Sequence, residues 1–134
     1  MEEKNTLLRL ESCQRDAEGA GTEQTDTYRA RISESGGVIT LRYAIEGDEV
    51  TMRMEDSAVE IIRRGALQMK LFIRPGRLLT GVYATPYGEM RMAAQGRRIQ
   101  IQREEKRCEL RMEYDVYING EKAFANDVRA VFRR

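Results

Sequence analysis

Gly81-Val-Tyr-Ala-Thr-Pro-Tyr-Gly-Glu-Met-Arg-Met92 is the stretch whose reading decides the fold. Its centre, Thr85-Pro86-Tyr87-Gly88, has β-turn chemistry: proline presets φ and glycine is available for positive φ. Two extended runs flank that turn, so the unit reads as a hairpin. The same period of two continues on both sides of it. Cys108, Leu110, Met112, Tyr114, Val116 and Ile118 alternate with Glu109, Arg111, Glu113 and Asp115. Ile39, Leu41, Tyr43 and Ile45 alternate with Thr40, Arg42 and Ala44, and Val50, Met52 and Met54 with Thr51, Arg53 and Glu55. Met90 and Met92, and then Ile99 and Ile101, keep the pattern. Such alternation belongs to strands with one dry and one wet face.

Short turn signals separate these runs: Gly36-Gly37, Glu46-Gly47-Asp48, Glu55-Asp56-Ser57, Pro75-Gly76 and Asn119-Gly120. Gly65 and Gly96 stand where a bulge or tight corner fits. Residues 16–25 read as one long polar loop. The runs near 6–14, 27–34, 38–46, 49–55, 58–64, 66–73, 78–84, 88–95, 97–103, 107–118 and 123–133 give roughly ten strands once neighbours merge. No window carries the helical period. A meander with a single apolar face must close on itself to keep that face dry, and hairpin connections make an up-and-down antiparallel β-barrel of about 8–10 strands the simplest closure. A sandwich is the alternative. The 134 residues fit one domain, 1–134, with no internal repeat or linker.

Composition removes several classes of chemistry. The chain has no histidine, so imidazole-based triads, the usual imidazole metal ligands and the ordinary neutral-pH base are absent. With only Cys13 and Cys108, a structural zinc site is not expected, and reduced thiols are the default inside a cell. No apolar run is long enough to span a bilayer, and the acidic Met1-Glu-Glu-Lys start is unlike a signal peptide. The expectation is a cytoplasmic protein with no cofactor and no membrane association.

Charge is distributed unevenly. Residues 1–60 carry seven basic and fourteen acidic side chains, net −7, while residues 61–134 carry sixteen and eight, net +8. Such asymmetry can mark an anion-binding face or head-to-tail association. The simpler expectation is that the strands interleave in space and the difference largely cancels.

Arg64-Gly-Ala-Leu-Gln-Met69, Tyr83-Ala-Thr-Pro-Tyr-Gly-Glu-Met90, Leu110-Arg-Met-Glu-Tyr-Asp115 and a closing strand with Asn126 together resemble the YwiB-like family of small bacterial proteins. The resemblance covers a little over half the chain well, and the N-terminal strands by pattern alone. It implies a calycin-type, lipocalin-like barrel of unknown function, with no established activity, cofactor or catalytic residue to carry over. Gly96 departs from the threonine expected there in many members.

Six methionines, Met52, Met54, Met69, Met90, Met92 and Met112, fall on the apolar phase and are expected inside. A flexible, methionine-rich interior can mould around an apolar guest, or plug irregular gaps in a closed core. A small barrel is wide enough for either. Under the first reading, these methionines and Tyr114 line a site for a small apolar or amphipathic ligand. Thr80 and Asn126, in phase with Leu78, Val82, Phe124 and Val128, would then orient its polar head. Tyr83, Thr85, Pro86, Tyr87 and Gly88 would form a rim loop, or simply a turn that fixes hairpin register. Under the second reading the core is filled, and the protein works through its outer face or as a homodimer. The contact would come from an unpaired edge strand or an outward apolar residue such as Phe72 or Tyr117.

Two further classes are weaker. Arg97, Arg98, Arg103, Lys106, Arg107 and Arg111 cluster in sequence, with Arg129, Arg133 and Arg134 as further members. Glu104, Glu105, Glu109 and Glu113 interleave with them, which predicts cross-strand ion pairs and disfavours nucleic-acid binding. Glu113 with Asp115, and Glu89, are the best carboxylates for acid–base work, but all three lie on the wet phase. The expectation is therefore no enzyme, with carboxylate catalysis a remote alternative.

Overall fold

Of the two arrangements that hide the apolar phase of these strands, a closed barrel and a sandwich, the chain adopts the barrel. The protein is described here by a computed structural model covering residues 3–134. Its ten strands are β1 (Lys4–Asp16), β2 (Gly21–Ser35), β3 (Val38–Ile45), β4 (Asp48–Glu55), β5 (Ala58–Arg64), β6 (Gln68–Ile73), β7 (Leu78–Thr85), β8 (Gly88–Arg103), β9 (Arg107–Ile118) and β10 (Glu121–Arg133). Each pairs antiparallel with the next in sequence, and β1 pairs with β10 to close the barrel. The register places Leu41 opposite Met52, Met52 opposite Ile61, and Val128 opposite Met112, so apolar positions meet strand after strand.

One continuous core results. Ile39, Met54, Leu110 and Phe132 are essentially inaccessible and belong to a single cluster contributed by strands all around the barrel. Burying each such side chain contributes about 1.5–3 kcal/mol. The outward phase carries Arg42, Glu49, Arg53 and Arg111, the reverse of a membrane-spanning barrel, which turns its apolar face to lipid. No helix among the described residues is long and apolar enough to cross a membrane.

The neighbouring runs 88–95 and 97–103 merge, as expected, into one strand, β8, with a bulge between Gly96 and Arg98 where the glycine predicts one. At the level of the fold, three expectations need correction. Residues 16–25 are mostly strand: β1 and β2 stay paired as far as Arg15 and Gly21, leaving a tight connection over 17–20. This hairpin projects past the core with both faces wet, so its alternation carries no apolar signal. The charge asymmetry does not cancel, because strand order around the barrel follows chain order and residues 1–60 and 61–134 occupy different arcs. Finally, Thr80 faces solvent together with Leu78 and Val82, while Leu79 and Gly81 pair with the buried Ala94 and Met92. Both phases of Leu-Leu-Thr-Gly-Val-Tyr contain apolar residues, so parity there was ambiguous.

Candidate functional site

Two glycines shape the wall on the side of β6 and β7. A Cβ on Gly96 would strike the carbonyl of Arg74, and one on Gly81 would strike the carbonyl of Lys70. The β6–β7 connection therefore packs directly on β8. The Gly76 amide donates to the Gly96 carbonyl at 2.8 Å, and the Gly96 amide donates to the Arg77 carbonyl at 3.3 Å. Pairing of β6 with β7 is correspondingly limited to three positions, Gln68–Lys70 against Ala84–Val82.

The proposed interior residues do not all meet. Met52, Met54 and Met112 are 2%, 0% and 1% exposed, and Met92 and Tyr114 are buried in the same cluster. Met69 is partly buried against that cluster. Met90 sits beyond its edge and is 38% exposed, so the expectation that all six methionines point inward fails for Met90. Thr80 is outside the barrel altogether. Asn126 is buried between its cross-strand neighbours Tyr114 and Gln14, and its Nδ2 has no hydrogen-bond partner among the described residues. Burial pushes the Tyr114 phenol up to about 12. Tyr43, whose ring lies 5.2 Å from that of Tyr28, is also raised by burial.

In the rim turn, the Thr85 hydroxyl donates to the Gly88 carbonyl at 3.3 Å and accepts the Tyr87 amide at 3.1 Å, closing the hairpin where Thr85 pairs with Gly88. Pro86 and Tyr87 occupy its tip, and Tyr87 is fully exposed. Tyr83 packs inward against the core.

In the sequence Asp48 marks only a turn, yet it is the most heavily engaged carboxylate near the barrel interior. It accepts from Arg63 Nε at 2.9 Å and from the amides of Ala66 and Leu67 at 3.0 and 3.4 Å. The Arg63 guanidinium, then the two amides, hold its carboxyl below the usual carboxylate range. A Cβ on Gly65 would collide with that carboxylate, which explains a glycine at the β5–β6 corner. At the opposite end Arg134 grips Glu34 through two nitrogens at 2.7 and 3.1 Å, and Arg103 reaches the Gly37 carbonyl and Asp56.

The outer face contains the polar surface features. The outward sides of β2, β1, β10, β9 and β8 form an open groove of about 880 Å³, lined by Glu11, Cys13, Gln100, Arg111 and Arg129 among others. Arg129 bridges Glu11, at 2.7 Å, and Glu109. Arg97 contacts Glu113 at 3.4 Å and Asp115 at 3.3 Å, as the interleaved sequence led one to expect. Asp115 is not the wet residue its phase implied: Arg97 and Lys122 flank it, and it is 7% exposed. Cys13 faces this groove while Cys108 lies in the core, paired across to Phe132, so the two thiols are free and on opposite faces.

A further surface lies over β6 and β7. Leu78 and Val82, both on the outward phase of β7, are two of the five large apolar side chains exposed among the described residues. Tyr87 is exposed at the β7–β8 turn, and Met90 at the rim on the opposite, inward phase. Lys70 stands over the Phe72 ring at 5.3 Å beside them.

These features define a ten-stranded, closed, antiparallel barrel of calycin-like architecture with an apolar interior and a charged exterior. The chain belongs to the family described as a domain of unknown function, DUF1934, which matches residues 9–129. The crystal structure of the ywiB protein from Bacillus subtilis superposes with a TM-score of 0.86 at 17% identity, covering 98% of this chain and 92% of that one. This agreement is one of fold. No curated protein matches the chain.

Proposed function

We propose that this protein is a non-catalytic, cytoplasmic interaction module, a barrel filled by its own side chains that acts through its outer face. The observation that carries this reading is the interior itself. Met52, Met54 and Met112 are almost wholly inaccessible and merge with Leu41, Leu110 and Phe132 in one cluster. Methionines packed this way serve as gap-fillers. The carboxylates best placed for catalysis support the same view, since Glu113 and Asp115 are held in ion pairs with Arg97.

One observation favours a second reading, in which the barrel binds a small amphipathic molecule. Asn126 keeps a buried Nδ2 without a partner beside Tyr114, and a buried donor left unpaired is costly. A ligand's polar head could accept from it.

Thermal unfolding in the presence of fatty acids, fatty alcohols and sterols separates the two. A ligand that binds only the folded state raises its stability by about 2.7 kcal/mol at a hundredfold excess over Kd. The filled-barrel reading predicts no shift with any of them. A midpoint that climbs with ligand concentration, and does so less in Asn126→Ala, would establish the second reading instead.

A further inference from the structure

Resting on the reading of this barrel as an interaction module, we propose that the outer face of β6–β8 docks an extended, acidic segment of a partner protein by strand addition along β7.

Three independent features converge there. The first is a free edge. Along Leu78–Thr80, β7 is paired with β8 on one side, but its pairing with β6 stops at Val82. The β6–β7 connection is tied to Gly96 instead. A strand edge without a partner presents main-chain donors and acceptors to any extended chain that approaches it.

The second is apolar exposure. Leu78 and Val82 point outward from this strand and are 57% and 47% exposed. Their spacing of four residues puts both on one face, matching apolar residues at alternate positions of an added strand.

The third is charge, and it identifies the occupant. From Ile61 to Arg103 the chain carries nine basic residues and a single acidic one, Glu89. Arg63, Arg97, Arg98 and Arg103 have acidic partners. No acidic side chain among the described residues lies within ion-pairing distance of Lys70, Arg74, Arg77 or Arg91. An apolar strip ringed by uncompensated cations is complementary to an acidic peptide with interspersed apolar residues. A second copy joined edge to edge through β7 would oppose this cationic arc to itself. Nucleic acid would leave Leu78 and Val82 without a role, because strand-stacking surfaces use aromatic platforms.

The test uses the full chain, isotope-labelled, and a synthetic peptide alternating glutamate with valine. A lysine–valine peptide, an oligothymidylate and phosphatidylserine vesicles serve as comparisons. The expected result is saturable binding of the glutamate–valine peptide, with amide shifts concentrated in residues 74–93. Arg77→Glu and Leu78→Glu, each with unchanged circular dichroism, weaken that binding by about tenfold or more. Arg31→Glu, on β2 across the barrel from this arc, leaves it unchanged. Shifts mapping to the Glu11–Arg129 groove, equal binding by Arg77→Glu, stronger binding of the oligonucleotide or the vesicles, or concentration-dependent self-association through β7 would each overturn the proposal. If the peptide fails to bind while apolar ligands still leave the melting temperature unmoved, this surface is wrong and the interaction-module reading survives. If apolar ligands do shift it, that reading falls separately.

Discussion

Asp48 illustrates how a single side chain organises a corner of the barrel. It lies at the start of β4, pairs with Arg63 on β5 and caps two amides of the β5–β6 turn. Its ordinary carboxyl value of 3.8 is lowered in the folded state by the Arg63 hydrogen bond first and by the turn amides next. A depressed folded-state value means that the carboxylate's stabilising contribution is complete above the unfolded value. It is lost as pH falls through the folded one. Urea unfolding from about pH 6 down to about pH 2 therefore shows a steeper acid loss in the wild type than in Asp48→Asn. The variant starts lower, because Arg63 loses its charged partner, but it follows a flatter acid limb. Parallel acid limbs would show that the Asp48 carboxylate contributes nothing to folding. Little of this was legible in the sequence. Glu46-Gly47-Asp48 announces a turn, whereas the partner that gives Asp48 its role is fifteen positions away across a strand pair. Asn126 was the reverse case: its phase alone placed it inside, and its missing partner emerges only in three dimensions.

At the scale of strands, alternation predicted most of the barrel and failed where it had nothing to count. In β9, from Cys108 to Ile118, the apolar phase lies inside as alternation predicts, and Asp115 is the exception on the charged phase, buried between Arg97 and Lys122. β7 was read in the wrong phase because leucine, valine and tyrosine occupy both. The β1–β2 hairpin carries no strand signal near its tip, because neither of its faces is dry there. Gly96 was correctly read as a bulge or corner, and the reason is a close approach: the Arg74 carbonyl occupies the space a side chain would need. The threonine expected from the family resemblance would require this corner to shift. Gly96→Ala should therefore cost about 1–3 kcal/mol, the usual penalty for forcing extra volume into packed structure. Chemical denaturation measures it. Wild-type stability in that variant would mean that the β6–β7 connection yields freely and does not clamp β8.

Over the whole molecule, chain order becomes charge geometry. Because each strand neighbours the next, an acidic N-terminal half and a basic C-terminal half remain separate arcs of one wall. The sequence contains both numbers, but cancellation requires interleaved strands, which a barrel of consecutive hairpins does not have. The fold was legible because a single-faced meander must close or fold over to hide its apolar side, and consecutive hairpins favour closure. Function was less legible, since an inward methionine reads identically whether it lines a void or fills it. That difference is the central claim, and Met112, 1% exposed in the core cluster, is the place to test it. The measurement is the unfolding free energy of Met112→Trp by urea titration, with far-ultraviolet circular dichroism confirming the sheet. A filled barrel predicts a loss of about 1–3 kcal/mol or more from overpacking. A variant as stable as the wild type, with its indole accommodated inside, would reveal room for a guest and contradict the account.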